Sequence, residues 1–441
     1  MTNVLLVYPP FCTPSSPPYS VTNLYSKLKT VSSVNVNVLD LNIKFHNYKF
    51  KKYKDYFQRK GWSDYDFVSK KCREDFNKAY AHNHKLILDN ELPEQFDGFL
   101  DLILDYKPEV VAFSIVYSSQ VFYAFSLIKK LKSLNIKTIV GGPAVSEKLK
   151  NESNLFMASE GALFNFLKIN PKESFLDFSV YDFDDYFTPE IVLPLKTSST
   201  CFYKKCAFCS HFSNEKYEEF DLDFLESTIK NNSANKYFLI DDMIHSKRLL
   251  SLAKIFKKYN VEWACQLKPT KDFSKKILSE LKSSGLKFVL WGVESANNRV
   301  LNLMSKNTNK DDISLILKNS KESGVLNVVY IMFGFPSESK DEFLETINFL
   351  HDNKKNIDLV STSVFGLQKG TKVYNNPEDF FITKIFEEKR TFLEPKISYA
   401  SSTGLSSSEA FKLRKSYLNF LDDINKFPKK LNFFREHMFF Y

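Results

Sequence analysis

The sequence predicts an α/β protein with a Rossmann-like, doubly wound N-terminal domain, a partial (β/α)6 TIM-like barrel and a helical C-terminal region. Short apolar runs alternate with amphipathic helical stretches along most of the 441 residues. Repetition of strand and helix is typical of parallel sheets. A chain of this length also exceeds what one ordinary hydrophobic core accommodates, so more than one domain is expected.

Four apolar stretches predict the parallel strands of the N-terminal domain, which we place at residues 1–165. They cover residues 3–10, 34–41, 109–116 and 137–143. Such sheets bind ligands at the carboxyl ends of their strands. Six residues there are candidates for a binding crevice: Ser114, Tyr117, Ser118, Gly141, Gly142 and Pro143. The glycines are equally consistent with a tight turn and no ligand.

A polar connector at residues 166–191 leads to the predicted barrel at residues 192–384. Six strands separated by amphipathic helices indicate a parallel, incomplete barrel. The predicted strands are 192–199, 236–242, 261–268, 287–295, 326–336 and 358–367. We expect residues 385–441 to form a helical cap that ends in the aromatic stretch "NFFREHMFFY".

The composition indicates a globular cytoplasmic protein. Hydrophobic residues make up 43% and there are only six cysteines, which does not suggest a disulfide scaffold. No apolar run reaches the ~18 residues of a membrane span, and the first residues lack the features of a signal peptide. The net charge of +9 is spread along the chain and would suit an acidic peptide, whereas a nucleic-acid partner is not favoured.

Half of the cysteines lie in "CFYKKCAFCSH", with the spacing C-x4-C-x2-C directly after the first barrel strand. Barrel enzymes place their chemistry at this end of the strands. A [4Fe–4S] cluster with one open iron suits three soft thiolates. Zinc, with His211 as fourth ligand, and three unrelated thiols remain alternatives. The candidate metal ligands are Cys201, Cys206 and Cys209.

The other three cysteines show no such pattern. In "VEWACQLK" the period of two puts Cys265 on the same strand face as Trp263 and Leu267, opposite Gln266 and Lys268. We expect the polar face to line the barrel and Cys265 to pack as a small hydrophobe in the helix layer. Cys12 and Cys72 receive no role from the sequence.

Several stretches, in order, resemble the radical S-adenosylmethionine (SAM) enzymes, and within them the subgroup with an N-terminal cobalamin-binding-like domain. The cysteine spacing is similar to the commoner C-x3-C-x2-C of that family. The stretches that carry the resemblance are "VGGP", "SEGALFNFL", "FTPEIVLPLKTSSTCFYKKCAFCSH", "FLIDDMI", "GVESANNRVLNLMSKNT" and "GFPSES".

The resemblance implies that the three cysteines hold a [4Fe–4S] cluster whose open iron binds SAM, which is cleaved to a 5'-deoxyadenosyl radical. It places Phe208 beside the adenine, and Asp241 and Asp242 near the amino-acid end of SAM. Glu294 and Ser295 match a position that binds the ribose or amine, and Arg299 would pair with the carboxylate. The alternative is that these acids are solvated loop residues and Arg299 is a surface residue, without a part in SAM binding.

The chain also departs from the subgroup. Thr200 and Lys204 stand in the cysteine loop where relatives often carry glycine, and a lysine at a position that needs a positive φ would be strained. The D-x-H-x-x-G sequence that supplies an axial histidine to cobalamin is absent, because Asp40 has no such partner. The absence of this sequence is compatible with cobalamin bound without a protein ligand. It is equally compatible with a domain that has lost cobalamin.

The favoured function is a radical SAM enzyme that methylates an unactivated carbon of a peptide or natural product with cobalamin. A cobalamin-free enzyme that epimerises, crosslinks or rearranges a peptide is the first alternative. The partners expected are a peptide or small-molecule substrate and a reductant such as flavodoxin or ferredoxin, with no membrane. A zinc-stabilised nucleic-acid-binding protein and a non-catalytic partner with a degenerate barrel stand as hypotheses from other classes.

Overall fold

A computed structural model describes residues 1–210 and 216–441 of the chain. Within that part, the N-terminal sheet consists of β1 (Thr2–Tyr8), β2 (Val34–Asp40), β3 (Val110–Ser114), β4 (Lys137–Gly141) and β5 (Leu155–Met157). All neighbouring strands are parallel, in the order β2-β1-β3-β4-β5. The four predicted strands are therefore confirmed, and the short edge strand β5 is additional.

Helices cover both faces of this sheet. They are α1 (Tyr19–Leu28), α2 (Leu41–Lys49), α3 (Lys51–Phe57), α4 (Tyr65–Leu88), α5 (Phe96–Asp105), α6 (Val121–Ser133), α7 (Glu147–Glu152) and α8 (Glu160–Leu167). The longest, α4, buries one stripe that includes Tyr65, Cys72, Phe76 and Ala79. This spacing of three, four and seven residues is the helical period, and it places Cys72 in the core as an apolar side chain.

The second sheet is the predicted partial barrel. Its strands are β6 (Leu193–Leu195), β7 (Lys236–Leu239), β8 (Glu262–Leu267), β9 (Leu286–Glu294), β10 (Leu326–Phe333) and β11 (Leu359–Val364). They are parallel and lie in sequence order, with β6 and β11 at the two edges. The accompanying helices are α9 (Leu222–Asn231), α10 (Ser246–Lys258), α11 (Lys275–Ser283), α12 (Asn298–Leu303), α13 (Lys310–Glu322), α14 (Lys340–Asp352) and α15 (Lys372–Asn375).

The predicted faces of β8 are confirmed. Trp263 and Cys265 are buried in the core between the sheet and its helices, whereas Ala264 belongs to the core inside the barrel. Gln266 lines a cavity above that inner core. Alternation along the strand therefore points the polar residues of β8 toward the barrel mouth and Cys265 away from it.

The prediction of an all-helical C-terminal region is wrong for its first part. Residues 382–401 contain the antiparallel strands β12 (Ile382–Glu388) and β13 (Lys396–Ser401), and only then follow α16 (Ser407–Ser416) and α17 (Leu418–Asp422). The run of Glu and Lys favours a helix, but Ile385, Ile397 and Tyr399 lie on one face of the hairpin and pack against a hydrophobic cluster near the cysteine loop. This packing outweighs local propensity.

The aromatic tail packs down, as expected, and does so inside the barrel. The ring of Phe439 lies 5.1 Å from that of Phe288, an inward-facing residue of β9. The segment is a 3₁₀ helix, one of several short 3₁₀ turns: Ser118–Gln120, Phe183–Asp185, Lys354–Asn356, Pro377–Phe380, Lys429–Asn432 and Arg435–Phe440. The tail fills the apolar end of the barrel and ties it to the N-terminal domain.

None of the helices in the described part of the chain has the length and apolar character needed to cross a membrane.

Candidate active site

The C-x4-C-x2-C motif lies on one loop that follows β6 at the carboxyl end of the barrel strands. The three partly exposed thiols are those of Cys201, Cys206 and Cys209. The amide of Ala207 donates to the carbonyl of Met304 at 2.9 Å, and the amide of Val373 donates to the carbonyl of Ala207 at 3.1 Å. These hydrogen bonds fix the loop between the segments that follow β9 and β11.

At Lys204 the backbone of this loop adopts a conformation in which a glycine would be unstrained. Lys204 has a φ of 48°, in the left-handed region. An L-residue with a side chain pays about 1–2 kcal/mol there. Thr200, the other departure from the glycine pattern, is buried and does not have a positive φ. The sequence-based expectation of strain is therefore met at Lys204 and not at Thr200.

Two buried lysines bring positive charge to the cysteine loop. The Nζ atom of Lys268 lies 3.2 Å from the ring centroid of Tyr203, and that of Lys306 lies 5.5 Å from the ring centroid of Phe208. Burial lowers the pKa of Lys268 to about 8. Burial raises the pKa of the Cys206 thiol, and the two ammonium groups oppose that shift.

Glu294 ends β9 and completes this group. Its carboxylate lies 3.0 Å from the ammonium of Lys306, and both side chains are largely buried. The φ of Glu294 is 68°. A Cβ at Gly292 would lie 2.9 Å from the Glu294 carboxylate and 3.2 Å from the Lys306 ammonium, so the glycine provides the space that this ion pair occupies. The pair thus lies between the cysteine loop and the barrel interior.

Asp241 and Asp242 have different surroundings although they are adjacent. Asp241 is 3% exposed and accepts hydrogen bonds from the Thr197 amide at 2.9 Å and the Ser198 hydroxyl at 2.7 Å. Burial raises its pKa to about 6, and these hydrogen bonds oppose that shift. Asp242 lines a cavity and has no hydrogen-bond partner among the described residues. Asp241 therefore holds the start of the cysteine loop, and Asp242 is available to a ligand.

The structure does not bring Ser295 and Arg299 into this group. Ser295 is buried, and its hydroxyl accepts a hydrogen bond from the Asn297 amide at 3.2 Å. The guanidinium of Arg299 donates to the Glu342 carboxylate, with nitrogen–oxygen distances of 2.6 Å. Both side chains thus have structural partners in the segment after β9 and at the start of α14.

A cavity of about 700 Å³ lies between the N-terminal domain and the barrel. The predicted crevice residues that line it are Ser114, Tyr117, Gly141, Gly142 and Pro143. Ser118 does not line it. The barrel contributes Lys196, Asp241, Asp242 and Gln266, and the C-terminal tail contributes Arg435 and Glu436. The carboxyl ends of both sheets therefore face one shared space.

Gly142 has a structural reason for being glycine. Its φ is 117°, and a Cβ there would lie 2.3 Å from the carbonyl oxygen of Ile115. The interpretation as a tight turn therefore holds at this position. The same turn exposes backbone to the cavity, so it does not exclude a ligand.

Sequence reasoning missed the part that the C-terminal tail plays in this site. The guanidinium of Arg435 lies 5.3 Å from the ring centroid of Phe238, and Glu436 accepts a hydrogen bond from Ser15 at 2.9 Å. A pair of charged residues inside an otherwise aromatic stretch was the available signal. The sequence also gave Lys306 no role, because its approach to Glu294 depends on the fold.

The donor set of the cysteine loop suits an iron–sulfur cluster. One loop carries three soft thiols beside two buried ammonium groups, which would offset the negative charge of sulfide and thiolate. Within residues 1–210 and 216–441, no three His, Cys, Asp or Glu side chains are placed to hold a single metal ion. In a cluster each thiolate binds its own iron. His211, the fourth ligand of the zinc alternative, lies outside the described residues.

Comparison with known proteins agrees with this geometry. Residues 195–350 match the family model described as the Radical SAM superfamily. The uncharacterized methyltransferase PH0819 of Pyrococcus horikoshii is 25% identical over 240 residues, which are 51% of this chain and 50% of that protein. The ribosomal protein uS12 methylthiotransferase RimO of Caldicellulosiruptor saccharolyticus is 25% identical over 341 residues, 69% of this chain and 71% of that protein.

Two solved structures share the fold over nearly the whole chain. The cobalamin-dependent SAM radical enzyme OxsB, with aqua-cobalamin and SAM bound, has a TM-score of 0.63 and 14% identity, covering 96% of this chain and 67% of that one. The radical SAM methyltransferase TsrM of Kitasatospora setae, with cobalamin and a [4Fe-4S] cluster bound, has a TM-score of 0.61 and 12% identity, covering 96% and 89%.

Proposed function

Because residues 195–350 are a radical SAM domain, we propose that this protein methylates an unactivated carbon of a peptide or natural product with SAM and cobalamin. One observation carries the proposal. Asp241 holds the start of the cysteine loop and also lines the cavity between the two domains. The loop that would hold the cluster is thereby built into the wall of the space that would hold cobalamin and substrate.

Cys201, Cys206 and Cys209 would be the cluster ligands. When bound, the cluster supplies one electron that cleaves a C–S bond of SAM and yields the 5'-deoxyadenosyl radical. The chain's own contribution is to hold the thiols in place. Asp241 accepts hydrogen bonds from Thr197 and Ser198 at the start of the loop. The amide and the carbonyl of Ala207 are both hydrogen-bonded.

The charged side chains around the loop match the methionyl end of SAM. That end carries an ammonium and a carboxylate, and the site offers the ammonium groups of Lys268 and Lys306 and the carboxylates of Glu294 and Asp242. Charge-assisted hydrogen bonds of this kind are stronger than neutral ones. We assign SAM binding to these four residues, and assign Phe208 to contact with the adenine.

Cobalamin is proposed for the cavity between the domains. The OxsB and TsrM structures, which share the fold, contain cobalamin. The cavity offers apolar side chains, the backbone of the Gly141–Gly142 turn and the hydroxyl groups of Ser114 and Tyr117. When bound, cobalamin supplies the methyl group. Histidine is not among the described residues that line the cavity, and the apolar, hydroxyl and backbone groups named above would hold the corrin.

The substrate class rests on the relatives. RimO is named for a ribosomal protein, PH0819 is named a methyltransferase, and the TsrM structures include one with its tryptophan substrate. These names favour a peptide or an amino-acid-derived compound. A radical SAM enzyme that works on a peptide without cobalamin is the second candidate, because Gly142 is explained by its turn alone.

Anaerobic purification from cells supplied with cobalamin tests the proposal. We expect about four irons per chain with acid-labile sulfide, a corrin absorption spectrum, and 5'-deoxyadenosine after addition of SAM and a reductant. Iron and 5'-deoxyadenosine without a corrin absorption spectrum would favour the cobalamin-free radical SAM enzyme. Absence of both would overturn the radical SAM assignment.

Cys206→Ala and Cys265→Ala form a matched pair for this experiment. Both remove one thiol, but Cys206 lies on the cysteine loop and Cys265 is buried between the sheet and its helices. We expect Cys206→Ala to abolish 5'-deoxyadenosine formation and Cys265→Ala to retain iron. If the two variants lose iron equally, the loop is not the cluster site.

A further inference from the structure

A basic cleft lies beside the cysteine loop. We define it by Lys204, Lys205 and Lys372 at its rim and by Cys206 and Cys209 in its wall. It measures about 730 Å³ and is open to solvent. It shares no lining residue with the cavity between the domains.

Within residues 1–210 and 216–441, no carboxylate neutralises the charge of this cleft. Lys204, Lys205 and Lys372 are exposed, and no ion pair joins any of them to a carboxylate of a described residue. The described residues that line the cleft include no Asp or Glu, and the remaining lining residues are mainly asparagine, serine and glycine. Positive charge gathered on a concave surface attracts an acidic partner over several ångströms.

The position of Lys204 adds an independent observation. Its φ of 48° is the conformation that glycine adopts without strain, and this chain carries lysine there. The strained residue presents an ammonium group two positions before Cys206. Lys372, at the start of α15, presents a second ammonium from a different segment of the chain.

We propose that the basic cleft is the docking surface for an acidic one-electron carrier protein that reduces the cluster. The proposal rests on the proposed function, which requires an electron from outside the chain. Electron-transfer complexes are small and depend on complementary charge more than on buried apolar area. Cys206 and Cys209 form part of the cleft, so a carrier seated on it approaches the thiolates from outside the cavity between the domains.

The chemical step is a simple electron transfer. The reduced carrier loses one electron, the cluster gains it, and no covalent bond forms or breaks. A protein carrier is favoured over nucleic acid because two proposed cluster ligands lie in the wall of the cleft. Among its described lining residues, Tyr203 is the one aromatic side chain on which a base could stack.

The test compares charge reversal in the cleft with charge reversal elsewhere. The cleft variants are Lys204→Glu/Lys205→Glu and, outside the cysteine loop, Lys372→Glu. The control is Lys129→Glu/Lys130→Glu, an adjacent exposed pair on α6 without ion-pair partners in the described chain. Each cluster-loaded protein is titrated with flavodoxin at low and at high salt, and the rate of cluster bleaching is followed with reduced flavodoxin and with photoreduced 5-deazaflavin.

We expect the cleft variants to bind flavodoxin and to be reduced by it about ten- to a hundredfold less well at low salt. The difference should shrink at high salt. Reduction by the small, neutral deazaflavin should not change, and the control should match the wild type throughout. Lys372→Glu keeps the test valid if the double variant on the loop fails to retain iron.

Two results would overturn the docking proposal. One is flavodoxin binding and reduction equal to wild type in Lys372→Glu. The other is loss of binding to bulk tRNA in the cleft variants with flavodoxin kinetics unchanged, which would assign the cleft to nucleic acid. Failure of the proposed function is recognised separately, because deazaflavin would then give no 5'-deoxyadenosine in the wild type, while the flavodoxin titration still reports on the cleft.

Discussion

The ammonium of Lys306 lies 3.0 Å from the carboxylate of Glu294, with 7% and 17% of the two side chains exposed. Glu294 ends β9 and Lys306 follows α12, so the pair joins the two ends of the segment that contains this helix. A buried ion pair next to a cysteine loop has groups of both signs to offer an amino-acid ligand. The pair is therefore the place to test SAM binding.

Lys306→Met is expected to lower the affinity for SAM at least tenfold and to leave the iron content unchanged. The variant removes the cation that would bind the SAM carboxylate. It also leaves Glu294 buried without a partner, and deletion of one member of a buried ion pair lowers the folding stability by about 3–5 kcal/mol. SAM affinity is measured by equilibrium binding to the cluster-loaded protein. Lys310→Met, which removes a partly exposed partner of Glu345, is the control. Equal effects in both variants would contradict the assignment.

Glu338 makes the stability of the fold depend on pH. Its carboxyl is buried in the turn after β10, one oxygen accepts a hydrogen bond from the Gly334 amide, and the other has no partner. Burial raises its pKa to about 8. The folded protein thus retains a proton that the unfolded chain has released, so stability from this group falls as the pH rises from about 4.5 to about 8.

Glu338→Gln is expected to remove that dependence. The amide oxygen accepts the same hydrogen bond and does not titrate. Between about pH 6 and about pH 9, the free energy of unfolding of the wild type should fall by about 2 kcal/mol through this group. The variant should not show this decrease. Urea midpoints at the two pH values report this. Glu342→Gln, whose parent carboxylate has a pKa lowered by Arg299, should leave the slope unchanged. A parallel pH profile for wild type and Glu338→Gln would refute the burial argument.

The strands were predictable from sequence because buried parallel strands appear as continuous apolar runs bounded by turns. The edge strand β5 has three residues and is partly exposed, so it carries no such signal. The hairpin β12–β13 has only one buried face, and its Glu- and Lys-rich stretch favours a helix locally. Its contacts with the cluster around Phe365 and Phe380 are long-range and decide the structure.

The cysteine ligands were predictable because all three lie in nine residues. The remainder of the site was not, since Lys268, Glu294 and Lys306 meet only through the register of β8 against β9 and the turn after α12. Asp241 was expected near SAM, and the sequence does not show that it also accepts a hydrogen bond from the Thr197 amide at the start of the loop. Arg435 reaches the cavity from the far end of the chain, which no local pattern shows.

His437 joins three parts of the molecule and predicts a stability effect. Its Nδ1 lies 2.8 Å from the Tyr65 hydroxyl on α4, and its Nε2 lies 2.6 Å from the Phe187 carbonyl in the connector. The carbonyl can only accept, so Nε2 carries the proton and Nδ1 accepts from Tyr65. Burial lowers the pKa of His437 to about 3, which keeps the ring neutral.

His437→Leu is expected to lower the free energy of unfolding by about 2–4 kcal/mol at neutral pH, because Tyr65 loses its acceptor and Phe187 its donor. The stability that the neutral ring contributes is lost in the wild type as the pH falls from about 6.5 toward about 3, and the variant lacks this change. Thermal midpoints against pH measure both effects. His82→Leu, on the exposed face of α4, should have a small effect. A variant as stable as wild type would show that the tail does not tie the domains together.

Asp241→Ala tests whether the acid acts on the cysteine loop or directly on a ligand. Alanine leaves the Thr197 amide and the Ser198 hydroxyl buried without their acceptor, at a cost of about 1–3 kcal/mol for each unsatisfied group. Because these residues lie four and three positions before Cys201, we expect lower iron content and a lower thermal midpoint even without SAM. Asp242→Ala is the matched control, since this neighbour lines the cavity and has no partner among the described residues. It should keep iron and stability and weaken SAM binding alone. If Asp241→Ala retains its iron and loses only SAM affinity, Asp241 is a ligand contact and the loop does not depend on it.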